Sequence, residues 1–79
     1  MFAVSVEFDM NSDNFNLESI FALEDYVRKT YKCESDAGAG FGFRDVTFYI
    51  DDEVQAWDAL CYIRYAYPPA SDSIHKIND

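Results

Sequence analysis

Phe2-Ala3-Val4-Ser5-Val6-Glu7-Phe8-Asp9-Met10 opens the chain with strict alternation, Phe2, Val4, Val6, Phe8 and Met10 taking turns with Ala3, Ser5, Glu7 and Asp9. Successive side chains of a strand point to opposite faces, so this period of two predicts a β-strand with one buried and one open face. A later run repeats the pattern: Val46, Phe48 and Ile50 alternate with Asp45, Thr47, Tyr49 and Asp51. Phe41 and Phe43 have the opposite parity to Val46. Either a bulge between Gly42 and Asp45 resets the register, or both phenylalanines face away from the core.

Between these strands the spacing changes to that of a helix. Asn11 to Asn16 is polar and turn-prone, and Asn14 or Asn16 can cap a helix over about residues 16–32, with apolar positions Leu17, Ile20, Phe21, Leu23, Val27 and Tyr31. Glu24 with Arg28 and Asp25 with Lys29 are acid-first pairs four residues apart, and the bases fall where the helix dipole favours them. Arg28, Lys29 and Lys32 therefore have a structural explanation and are not read as a nucleic-acid patch. Ala37-Gly38-Ala39-Gly40 reads as a hairpin turn between a short strand near 33–36 and a longer one near 41–51.

Asp51 or Asp52 caps a second helix, with Asp52 and Gln55 in capping-box spacing. Val54, Trp57, Leu60, Cys61 and Tyr65 form its expected apolar stripe; Trp57, Tyr62, Tyr65 and Tyr67 either make an aromatic interface cluster, open to a dimer, or divide into Trp57 and Tyr65 in the core and Tyr62 and Tyr67 at the helix edges, with Trp57 read as core. Pro68-Pro69 ends the helix. Residues 70–79 form an edge strand or a loose tail.

The order strand, helix, strand, strand, helix, strand is that of an α+β domain of the split βαβ, or ferredoxin-like, arrangement: an antiparallel sheet with two helices on one face. Residues 1–79 make one domain. Its open face carries Glu7 and Asp9 from the first strand and Asp45, Thr47 and Tyr49 from the third.

Fifteen Asp and Glu oppose six Lys and Arg, for a formal charge of -9, yet 49% of the residues are hydrophobic and 18% aromatic. Acidic disordered tails lack such side chains, so the charge is expected on a folded surface. Residues 1–27 hold six acids and no base, and acids outnumber Arg44 between Asp45 and Asp58. The first residues lack the basic region of a signal peptide and the length of a membrane span, which places the chain in the cytoplasm as an expectation. Cys33 and Cys61 lack metal-binding or redox spacing and are expected as reduced thiols.

Several chemistries fit the residues poorly. Gly40-Phe41-Gly42-Phe43 echoes the glycine-aromatic run of RNA-recognition modules, but Glu7, Asp9 and Asp45 on the same face repel phosphate. Asp9-x-Asn11-x-Asp13 has the opening spacing of a calcium loop, but Asn14 stands where that loop needs Gly and Ile20 where it needs a bidentate Glu. A single histidine, His75, and no glycine-rich phosphate loop give no convergent site for catalysis, so no enzyme, cofactor or metal role is expected.

In size, acidity and compactness the chain resembles the small phage-encoded inhibitors that include anti-CRISPR proteins and other DNA mimics. That resemblance implies a basic, nucleic-acid-binding partner in the host cytoplasm, such as a CRISPR effector, blocked at its DNA site or locked in one conformation. It implies no direct contact with nucleic acid or membrane. The expected contacts are Glu7, Asp9, Asp13, Asp45, Tyr49, Asp51, Asp52, Glu53 and Asp58, with Glu34 and Asp36 behind them, while Glu24 and Asp25 are occupied within their helix. The alternative is a non-catalytic structural or adaptor domain, homodimeric through a sheet edge or an aromatic face.

Overall fold

A computed structural model describes residues 1–77. The elements run β1 (Phe2–Asp9), α1 (Leu17–Tyr31), β2 (Glu34–Gly40), β3 (Phe43–Ile50), α2 (Glu53–Ala66) and β4 (Ser71–Lys76). The strands form one sheet in the order β2-β3-β1-β4, every neighbouring pair antiparallel. β3 is thus inserted between β1 and β2, and the fold is the ferredoxin-like α+β arrangement. The C-terminal segment is the edge strand of the two alternatives, β4 pairing with β1 from Phe2↔Lys76 to Glu7↔Ser71. Positions 78 and 79 of that segment lie outside the described residues.

The alternation in β1 and β3 becomes one shared apolar surface because the register places like with like: Val4 stands opposite Phe48 and Val6 opposite Val46. Those residues, with Phe8 and Ile50, meet Ile20, Leu23 and Val27 of α1 and Ala56, Ala59, Leu60 and Ile63 of α2. Each large side chain fully buried there contributes roughly 1.5–3 kcal/mol. Tyr26 of α1 stacks on Tyr62 of α2 at 4.5 Å between ring centroids.

Both helices start as their sequences direct. Asn16, in extended conformation, accepts from the Ser19 N–H (3.0 Å), and Asp52 accepts from the Gln55 N–H (2.9 Å). α1 ends at Lys32, a left-handed residue (φ 52°), after which the Cys33 N–H returns to the Arg28 carbonyl at 3.1 Å.

The buried face of α2 is not the one its large residues suggest. Of the expected stripe only Leu60 is buried, whereas Val54 is 75%, Trp57 50% and Tyr65 87% exposed, and Cys61 is exposed too. Ala56 and Ala59 take the inner positions instead. Small side chains let the helix axis approach the sheet and α1 closely, and the bulky residues then have room only outside. Leu17 and Phe21 of α1 are likewise about half exposed, at 43% and 48%.

The glycine-rich stretch is also not the turn. Ala37 to Gly40 belong to β2, and the register runs without a bulge from Glu34↔Tyr49 to Gly40↔Phe43. The connection is Phe41-Gly42, with φ of 54° and 82°. Positive φ at both central residues is the type I′ pattern, whose twist matches that of the strands it joins. A Cβ on Gly42 would lie 2.8 Å from Asn11 Nδ2 and would push that exposed side chain aside, so the positive φ is the main constraint on the position. Phe41 is fully exposed, and Phe43, 37% exposed, faces away from the core.

One charged group enters the interior. Glu24, 5% exposed, receives the Arg44 guanidinium at 3.0–3.1 Å on both carboxylate oxygens, and that guanidinium lies 4.8 Å over the Phe21 ring. Arg28, the expected partner within the helix, stands farther off at 3.9 Å and donates to Ser35 Oγ at 2.9 Å. A buried carboxylate that loses its partner keeps its desolvation cost, so Arg44→Ala is expected to lower unfolding free energy by about 3 kcal/mol, with Arg28 giving only partial relief. Glu24→Leu combined with Arg44→Met should recover most of that loss in urea unfolding; a single variant as stable as the parent would refute the pair's structural role. Phe41→Asn should do the reverse, raising stability by about 1 kcal/mol by removing a bulky residue from the left-handed region. An unchanged unfolding midpoint would show that the turn carries no strain.

Candidate functional site

The register resolves the open face of the sheet into a grid. Across the strands in the order β2, β3, β1, β4, one row reads Gly38, Asp45, Glu7, Ser71, the next Asp36, Thr47, Ser5, Ser73, and the next Glu34, Tyr49, Ala3, His75. Gly40, Phe43 and Asp9 form a shorter row beyond Asp45 and Glu7. Five carboxylates therefore trace a band from Asp9 through Glu7 and Asp45 to Asp36 and Glu34. Strand rise and strand separation set successive members roughly 5–8 Å apart. No Lys or Arg occurs in any of these rows, and among the described residues none lies within 4.0 Å of these five side chains.

Local contacts position the band. Gly38 leaves space for its cross-strand neighbour, since a Cβ there would come within 3.3 Å of Asp45 Oδ1. The Tyr49 hydroxyl donates to Asp36 at 3.0 Å. That hydrogen bond, followed by partial desolvation and the nearby charge, raises the Tyr49 pKa. Ser5 and Thr47 share a hydrogen bond of 3.1 Å between the acidic residues and the Ser71, Ser73, His75 edge. Asp9 also accepts from the Asn11 N–H (2.9 Å), closing the turn that leaves β1.

The electrostatics of this face cost stability. Glu7 and Asp45 are direct cross-strand neighbours. Like charges in that relation repel, and nothing in the folding of the chain requires both.

The other expected contacts lie elsewhere. Asp13 is in the loop after β1, at the end of the sheet remote from Asp51, Asp52 and Glu53, which follow β3 and open α2. Asp52 is committed to its cap. Asp58 accepts from the Tyr31 hydroxyl at 2.6 Å, which together with the larger effect of burial raises the tyrosine pKa well above its ordinary value. Thus Glu7, Asp9, Asp45 and Tyr49 come together, the second-rank residues Glu34 and Asp36 join them, Asp13 lies in the loop beyond Asp9 and outside the strand rows, and Asp51, Asp52, Glu53 and Asp58 lie elsewhere. Among the described residues, no group of three or more His, Cys, Asp or Glu could hold a metal ion, and no helix is long and apolar enough to cross a membrane.

A second exposed surface is the outer ridge of α2 formed by Val54, Trp57, Cys61 and Tyr65, so the core placement expected for Trp57 fails, while Trp57 and Tyr65 of the alternative aromatic cluster are both exposed. Its signal was present: a helix with apolar groups on several faces cannot bury all of them, and alanines at 56 and 59 mark the closer approach.

Glu7→Gln removes the repulsion with Asp45 while keeping side-chain size, so it is expected to stabilise the chain by about 0.2–1 kcal/mol in low-salt thermal unfolding. High salt should shrink that gain. A destabilised variant would mean that Glu7 makes a favourable contact instead. No protein-family model matches the chain, and no curated protein matches it in sequence, so the residues themselves carry the functional reading.

Proposed function

We propose that this chain is a small acidic inhibitor that binds a basic, nucleic-acid-binding protein through the open face of its sheet, occupying the groove that nucleic acid would enter. The observation that carries the reading is the band of Asp9, Glu7, Asp45, Asp36 and Glu34 on a face whose strand rows hold no Lys or Arg among the described residues. Carboxylates held on a sheet stay spaced without further ordering cost, and a net charge of -9 accelerates encounter with a basic groove. Phe43 and the Tyr49 ring lie in the two outermost rows, one at each end of the band, and supply apolar contact area beside the charges. The retained Glu7–Asp45 repulsion supports the same reading, because residues that oppose stability are expected where they serve binding.

An RNA-guided effector holds its nucleic acid in a positively charged channel, which makes CRISPR effectors the first targets to test. Purified effector–guide complexes are to be assayed for binding and cleavage of matched duplex DNA, with the chain added before or after the DNA. The expected result is inhibition only when the chain is added first, weakened at least tenfold by combining Glu7→Gln, Glu34→Gln, Asp36→Asn and Asp45→Asn. If an effector is inhibited equally by parent and variant, or equally in both orders of addition, the sheet face does not act by occluding DNA. If no effector binds, the same order-of-addition test applies to whichever basic protein the chain retains from a host lysate, and retention unaffected by duplex DNA would reject the proposal.

A further inference from the structure

The two edges of the sheet are built differently. At one edge, β4 follows Pro68-Pro69 and turns Asp72 toward the helix side, where Arg64 holds it at 2.7–2.9 Å. Inward charge and preceding proline are means by which natural edges are closed to further pairing. At the other edge, β2 reads Glu-Ser-Asp-Ala-Gly-Ala-Gly over residues 34–40, with no proline, no lysine and no bulge. Its outer backbone groups have a defined direction. A two-residue turn makes Gly40 and Phe43 a hydrogen-bonded pair, and pairs alternate in an antiparallel ladder, so the N–H and C=O of Ser35, Ala37 and Ala39 point away from β3.

The side chains beside this edge separate by face. Glu34 and Asp36 lie on the open face at the end of the acidic band. On the helix side, Ala37 and Ala39 remain exposed although they face the same way as the core, and the half-exposed Phe21 ring lies against Arg44, the cross-strand partner of Ala39. A strand added here would meet acid on one face and, on the other, a small apolar shelf at Ala37 and Ala39 bordered by Ser35 and the Arg28 guanidinium bound to it.

We infer that β2 receives an extended segment of the basic partner, which adds a fifth strand to the sheet with Lys or Arg alternating with apolar residues. Main-chain bonds to Ser35, Ala37 and Ala39 supply affinity, and the alternating side chains supply selectivity. A second copy of this chain fits less well, because pairing two β2 strands leaves Glu34 and Asp36 of both copies on one shared face with no base to meet them. This inference rests on the proposed basic partner for the sign of the charge; the groove-blocking role does not depend on it.

The test is titration of the 15N-labelled chain with an eight-residue capped peptide alternating Lys and Val, followed by amide hydrogen exchange. Binding is expected to perturb the Ser35, Ala37 and Ala39 amides selectively and to slow their exchange at least tenfold, with a Glu/Val peptide having no effect. Ala37→Pro removes one outward donor without touching the β2–β3 ladder and should abolish that protection. Should that variant lose the native spectrum, Glu34→Gln with Asp36→Asn should weaken Lys/Val binding at least fivefold and leave the fold intact. Perturbation centred away from β2, equal binding of the Glu/Val peptide, or concentration-dependent protection of β2 without peptide would each overturn the inference, the last by showing self-pairing. Such a failure alongside order-dependent inhibition by the acidic face would leave the occlusion reading in place.

Discussion

The pairing of β1 with β3, which sets Val6 against Val46 and Val4 against Phe48, is the constraint on which the other contacts depend. A shift of either strand by one residue would turn that strand's apolar row to solvent and its acidic row into the core. Burial of one face is therefore also what exposes the other. Glu7 and Asp45 face each other because Val6 and Val46 do. The placement of the acidic residues follows from the core register, which fixes their backbone positions and the face they share.

Local rules are broken mainly in one region. A like-charge cross-strand pair, a phenylalanine in left-handed conformation and an unprotected edge all belong to β2, β3 and the strand beside them. The helix layer, in contrast, is capped at both N-termini, and its main buried carboxylate is held by Arg44. Chains keep locally unfavourable choices where something other than folding selects them, so the concentration of these departures on one side of the molecule is more informative than any one of them. The α2 ridge does not break a rule in the same way: its residues have good helix geometry and lack only cover.

Much of the fold was legible in the sequence because strong periodicity coincides with strong local signals. β1 alternates over its whole length, Asn16 and Asp52 are good caps, and Pro68-Pro69 follows α2 closely. The hairpin turn lies beyond the glycine-rich stretch because glycine does not mark the turn here: Gly38 serves close approach by Asp45, and the turn uses Phe41, a residue that propensity does not select. The inner face of α2 was misread because hydrophobicity was weighed by size, while packing distance favoured Ala56 and Ala59. For the acidic site, parity alone placed Glu7, Asp9, Asp45 and Tyr49 on one face. Glu34 and Asp36 could join them only once β2 was known to run through Gly40, and nearness in sequence gave Asp51, Asp52, Glu53 and Asp58 a place that topology denies them.

The half-exposed Trp57 also gives the molecule an unusual optical character. It is the chain's single tryptophan, and it stands on the outer ridge of α2 rather than among the buried side chains. Its indole already meets water in the native state, so its emission is a muted witness to the loss of the core and a sensitive one to anything that covers the helix layer. The tyrosines divide differently: Tyr31, Tyr62 and Tyr67 pack against the core, and Tyr49 is tied to the acidic band. Tyr65 shares the outer ridge with Trp57 and Tyr26 is half exposed on α1, so the tryptophan observes the helices' outer surface alone, whereas the tyrosines sample the interior, the sheet and that surface together.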